Sequence, residues 1–229
     1  MKFRWIVILF CLLIVQSHAQ TRDVFRDACM WNTFNLKHKL FKKTSLVLTE
    51  ELRLMENYTQ LNLTYTDLGV EYAISKSFRA TLSYRHIQKY IYDQPVSFRH
   101  RMMLDLLYRK SRGRFGFSYR QRFQSEVKDY GRSKMGKQSE WFSRSKFTLK
   151  YLLTKRLSPY AAIELRYQIR DPRNPRYDRA FHRNRYQAGC DYKLSRQTTV
   201  GLYYLMQHEY NIENRTELHV LGVEFSFDF

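Results

Sequence analysis

Apolar and polar residues alternate with period two over almost the whole chain. That period predicts strands with one apolar and one polar face. TSLVLTEELRL sets Leu46, Leu48, Leu52 and Leu54 against Val47, Thr49, Glu51 and Arg53. FRATLSYRH sets Phe78, Ala80, Leu82 and Tyr84 against Arg79, Thr81, Ser83 and Arg85. HRMMLDLLYR, FGFSYRQRF, RSKFTLKYL, YAAIELRYQI, TDLGVEYAI, RNRYQAGCDYKL and TVGLYYLM repeat the pattern. In the terminal HVLGVEFSFDF, Leu221, Val223, Phe225, Phe227 and Phe229 share a face. With a segment at 30–40, eleven strands are expected, an all-β chain.

The segments are long enough to cross a bilayer when tilted, which takes about 9–11 residues. Their connections alternate in length. FKK, SKS, KSRG, TKRLS and SRQ are short, whereas 56–63, 91–96, 126–137, 170–180 and 211–214 are longer. Short turns at one end and longer loops at the other predict a single antiparallel transmembrane β-barrel of 10–12 strands, with periplasmic turns and extracellular loops. The terminal strand then ends at the turn end, and so does the strand at 30–40. An upward strand is expected before it, and TRDVFRDAC, short and charged, is the only material there. Three alternatives follow: a poor edge strand, a segment through the lumen, or a strand count off by one.

Composition changes this picture in two ways. MKFRWIVILFCLLIVQSHAQ places Lys2 and Arg4 before an apolar run and Ser17-His18-Ala19 after it. That layout predicts a signal peptide over residues 1–19, cleaved near Ala19/Gln20, leaving a barrel domain over 20–229. The net charge of +19 and a pI near 9.9 point to an anionic partner. A soluble basic β-sandwich bound to an anionic partner would explain the charge, but neither the export signal nor the terminal phenylalanines. Cys29 and Cys190 are too few for a disulfide framework and read as two unpaired thiols.

The mature chain resembles a family of outer-membrane barrel proteins, domain of unknown function 2490. The likeness is carried by LTEELRLMEN (48–57), TDLGVEYAISKSFRATLSYRHI (66–87), FRHRMMLDLLYR (98–109), LSPYAAIELRY (157–167), DYKLSRQTTVGLYYL (191–205) and the terminal HVLGVEFSFDF. These are strand patterns. The resemblance implies a barrel in the bacterial outer membrane and brings no activity with it. The terminal Phe225, Phe227 and Phe229 resemble the signal by which barrel-assembly machinery recognises its substrates.

In a membrane barrel the polar faces line the lumen. Placed by their turns, Arg85, Arg99, Arg101, Arg120, Arg122, Arg144, Lys146, Arg166, Arg183 and Arg185 lie near the loop end, with only Glu51 clearly opposing them. Glu71, Asp105, Glu164, Asp191, Glu224 and Asp228 lie nearer the turn end, mixed with Arg79, Arg109 and Lys150. A one-residue slip would place these arginines in lipid at about 2–4 kcal/mol each near the midplane, so register is strongly fixed. Two lumen states are expected: a filled or gated barrel with paired charges, or a passage favouring small anions. A lipase-type enzyme is the alternative. His86, His100 and Ser143 are its candidates, but no spacing singles out a nucleophile and base, so no catalytic role is expected. Seven histidines without paired spacing predict no metal, and no cofactor or nucleic-acid partner is expected.

Overall fold

The computed structural model describes residues 24–128, 138–212 and 215–229. The predicted signal peptide lies outside them. Eleven strands form one closed barrel: β1 (Phe25–Lys39), β2 (Thr44–Met55), β3 (Gln60–Ala73), β4 (Phe78–Lys89), β5 (Ser97–Arg112), β6 (Phe115–Lys128), β7 (Ser139–Tyr151), β8 (Leu157–Arg170), β9 (Ala180–Lys193), β10 (Thr198–Glu209) and β11 (Thr216–Asp228). Neighbours in sequence pair antiparallel, as hairpins require. The barrel is closed by a parallel pair, β1 with β11, running from Phe25 opposite Thr216 to Lys37 opposite Asp228.

This closure corrects the expectation of an upward strand before residue 30. The second half of TRDVFRDAC is the beginning of β1, which starts at Phe25 and runs toward the turn end alongside β11. Residues 20–23 lie outside the described residues. The first long loop is also shorter than expected. The turn between β2 and β3 is a tight one in which Glu56, Asn57 and Tyr58 all have positive φ (51°, 54° and 69°). The Asp27 carboxylate holds this strained turn by accepting from the Glu56 and Asn57 backbone N–H groups at 2.9 and 3.1 Å.

The two faces of the wall are inverted relative to a soluble domain. Leu82, Leu202 and Leu221 point outward and are 58%, 60% and 53% exposed. Inside, Gln124 and Glu140 are each only 2% exposed. Contiguous exposed apolar surface around a closed sheet is what a lipid-facing wall presents. Aromatics concentrate near both rims: Tyr72, Phe115, Tyr192 and Phe229 toward the turns, and Phe98, Trp141 and Phe181 toward the loops. Polar residues on the outer wall bond one another, as buried or unsolvated polar groups do. Gln121 thus donates to Ser143 and accepts from Ser145, both at 2.7 Å. On the terminal strand, Phe225 stacks on Phe34 of β1, with ring centroids 5.0 Å apart. Cys29 and Cys190 are both free.

Candidate functional site

Because side chains alternate across a strand, the polar parity of every strand reaches the lumen. The ten predicted basic residues meet there. Arg85, Arg101, Arg120, Arg122, Arg144, Lys146, Arg166, Arg183 and Arg185 wall a central chamber of about 280 Å³, and Arg99 walls a chamber of about 400 Å³ on the loop side. A third chamber of about 410 Å³ opens toward the turns. The central chamber shares Lys146, Gln187 and Glu224 with the turn-side one. It shares six residues with the loop-side one: Trp31, Arg53, Arg101, Arg166, Arg183 and Arg185. Five arginines and a tryptophan therefore line both the upper and middle chambers and lie where they meet, a belt of side chains termed the partition.

The predicted carboxylates are distributed differently from the sequence expectation. Asp105 and Glu164 are not confined to the turn end. Asp105 lies directly across from Arg122 and accepts from its Nε and Nη2 at 2.6 Å each. Glu164 faces Lys146 on one side and Arg185 on the other. It accepts from Arg120 at 2.7 Å, from Arg185 at 3.3 Å and from Arg144. Glu71 pairs with Lys37 (2.5 Å) and Arg79 (3.2 Å), and Asp191 pairs with Lys150. Glu224 accepts from the Asn35 amide at 2.6 Å.

Nor does Glu51 stand alone at the loop end. It pairs with Arg53 at 2.5 Å and accepts from Thr33 and Tyr65. Asp67 holds Arg85 at 2.6 Å, Glu126 holds Arg101 and Arg99, Glu140 holds Lys128 at 2.6 Å and also Arg173, and Glu209 holds Arg183. The alternation in the sequence places Glu126 in the connection at 126–137. β6 continues through it to Lys128, and its inward parity continues with it. Arg53, Asp67 and Tyr203 lay on the polar parity and were legible as lumen residues. Glu140 and Glu209 sit at strand ends that the alternation did not reach.

Aromatic faces complete the pairing. The Arg53 guanidinium lies 3.7 Å from the Trp31 ring centre, and Arg85 lies 3.6 Å from that of Tyr65. Such contacts are worth about 0.5–2 kcal/mol, more where water is excluded. They hold Arg53 and Arg85 in place beside the carboxylates that pair with them, Glu51 and Asp67. The central chamber is walled by ten basic residues (Arg53, Arg85, Arg101, Arg120, Arg122, Arg144, Lys146, Arg166, Arg183 and Arg185) and by four acidic ones (Glu51, Asp67, Glu164 and Glu224).

Candidates for a lipid-facing hydrolase are not assembled. His86 and His100 adjoin on the outer wall, with ring centroids 5.3 Å apart. Ser143 lies two strands away on β7, bonded to Gln121. Its cross-strand partner Phe123 faces Leu104, four residues along β5 from His100. No group of three or more metal-ligating side chains converges among the described residues.

No curated protein matches the chain in sequence. Among solved structures, the barrel is similar to a NanC porin in a rhombohedral crystal form. The TM-score is 0.53 at 10% identity, covering 89% of this chain and 99% of that one. At that identity the likeness is one of fold. The family profile described as a protein of unknown function, DUF2490, matches residues 28–217, and the chain belongs to that family.

Proposed function

We propose that the protein is an integral barrel of the bacterial outer membrane whose lumen attracts small anions and is closed at rest by the arginine partition. The observation that carries this reading is the partition itself, in which five of six side chains are guanidinium-bearing. An anion entering either chamber meets donors and positive charge, while a cation meets a repulsive field within a Debye length of about 8 Å. Carboxylates pair with many of these arginines and hold them across the lumen. On this reading the barrel is occluded yet charged. The exposed apolar wall, the aromatic rims and the terminal phenylalanines support lipid as its surroundings and the barrel-assembly machinery as its partner in biogenesis. No catalytic step is part of this reading.

The test is conductance of the refolded barrel in a planar bilayer under a potassium chloride gradient. Openings are expected to be intermittent and to reverse at a potential favouring chloride. Changing Arg166→Gln together with Arg185→Gln should weaken that preference, since it removes two of the five partition charges and leaves Glu164 paired with Arg120 and Arg144. A preference for potassium in the unaltered protein, or no openings at any voltage, would overturn the proposal. Location is checked alongside by fractionation, with a gel shift between unheated and boiled samples reporting the folded barrel.

A further inference from the structure

One partition arginine differs from the other four. Arg53, Arg101, Arg183 and Arg185 each meet a carboxylate. Among the described residues, Arg166 meets none. Its Nη2 donates to Nδ1 of His182 at 3.0 Å, and the Phe142 ring lies against it at 4.7 Å. An arginine can only donate, so Nδ1 of His182 must accept, and the imidazole is neutral with its proton on Nε2. That Nε2–H then donates to Oε1 of Gln168 at 2.7 Å. This chain of bonds fixes the orientation of the Gln168 amide and leaves its NH₂ group facing the other way.

Within this bonded group two buried donors remain without an acceptor, Nε of Arg166 and Nε2 of Gln168. They belong to residues i and i+2 of β8, so they share its lumen face. Gln168 is 6% exposed, and both residues wall the loop-side chamber. A buried donor left unpaired is costly, so two such donors at successive inward positions of one strand, one of them on a guanidinium that meets no carboxylate, call for a group that only accepts and carries negative charge. The neutral His182 cannot supply it, and the nearby Glu140 and Glu209 are already held by Lys128 and Arg183.

We propose that Arg166 and Gln168 form a binding site for a single oxyanion group, a carboxylate or a phosphate, presented from the loop-side chamber, with His182 locking the two donors in place. The site rests on the reading of the lumen as anion-attracting and names where along it an anion pauses.

The test is calorimetric titration of the detergent-refolded full barrel with sodium phosphate and, separately, with sodium acetate, at constant ionic strength in chloride. Saturable binding of one of the two is expected, and the one that binds identifies the oxyanion. Arg166→Lys keeps the charge but removes the planar donor and should weaken binding about tenfold or more, the loss of one charge-assisted hydrogen bond. Gln168→Leu should weaken it by a similar factor, while Arg79→Gln at the turn end should leave it unchanged. The folded state of each variant is read by the unheated gel shift. Should a variant fail to fold, the unaltered protein still decides, because phosphate or acetate must then move the His182 ring resonance, assigned with His182→Gln. Binding that neither variant weakens, a His182 resonance that does not move, or no saturation with either salt would overturn the site. Chloride-selective conductance without saturable oxyanion binding removes the site and leaves the passage. Saturable binding without conductance does the reverse.

Discussion

Glu164 is the carboxylate on which the central chamber most depends, so its removal gives the sharpest test of the packing. It is 6% exposed, accepts from Arg120, Arg144 and Arg185, and has Lys146 directly across the ladder on β7. Glu164→Gln keeps the shape and one acceptor but removes the charge. Four cations then face one another around an amide. At an effective dielectric constant near 20, each guanidinium about 4 Å from the carboxylate contributes about 4 kcal/mol of attraction. The three do not simply add, because the 280 Å³ chamber admits water and counter-ions that take up part of the charge. Breaking one buried pair costs about 3–5 kcal/mol, and that is the expected loss here.

The assay is urea unfolding of the refolded barrel in micelles, followed by circular dichroism. The transition of Glu164→Gln should move to lower urea by an amount equivalent to that loss, and added chloride should recover part of it. Coupling to Arg144 sharpens the result. In Arg144→Met the carboxylate has lost one partner, and in the double variant one excess cation has gone. Glu164→Gln should therefore cost less in the Arg144→Met background than alone. A single variant within about 0.5 kcal/mol of the unaltered protein, the scatter of an ordinary surface change, would refute the idea that this carboxylate holds the three guanidinium groups.

Two further outcomes follow from the wall. Changing Phe225, Phe227 and Phe229 to Ser removes the Phe34 stack and the apolar end of β11. It should abolish outer-membrane assembly while leaving export intact, so normal membrane levels of the triple variant would show that this face meets something other than lipid. At Gly222 a Cβ would lie 2.0 Å from the Tyr203 ring, so Gly222→Ala should cost about 1–3 kcal/mol in the same urea assay. It should cost much less in a Tyr203→Ser background, and equal losses in both backgrounds would place the strain elsewhere.

The period-two pattern made the wall legible because several inward arginines have an apolar or aromatic neighbour one position away on the opposite face. Tyr84 beside Arg85 and Phe123 beside Arg122 fix which parity turns outward. What the pattern did not disclose was height. Asp105 and Glu164 were assigned to the turn end by counting from the nearest turn, yet cross-strand register brings them level with Arg122 and Arg185. Counting along one strand ignores the stagger between strands that closure imposes. The strand ends were obscured for another reason. Toward the loop end the outer face turns polar, as at Ser125 and Ser139, so the alternation fades although the ladder continues through Glu126 and Glu140. His182 was hidden by a register shift opposite Arg166 and Tyr167, which puts two successive residues of β9, His182 and Arg183, on the lumen side.

The parallel seam follows from hairpins and closure together. Eleven strands joined by hairpins reverse direction ten times, so the first and last run the same way. A closed barrel must still leave no unpaired edge. The only ladder available to β1 and β11 is parallel, which is slightly weaker per residue than antiparallel pairing. The buried apolar cluster of the lumen lies at this seam: Cys29 and Trp31 from β1 pack with Val220 from β11 and Leu205 from the adjacent β10. Phe34 and Phe225 stack across it outside, and Asn35 donates to Glu224 across it inside. At the turn end, Lys39 donates its backbone N–H to Phe229, and Phe229 donates to Lys37, each at 2.8 Å. Side-chain packing thus reinforces the seam where the backbone ladder is weakest. Trp31 belongs to both systems. One ring face carries Arg53 in the partition, and the same indole is buried in the apolar cluster that closes the sheet. The closure of the wall and the closure of the lumen therefore share a side chain, which ties the position of the partition to the strand that completes the barrel.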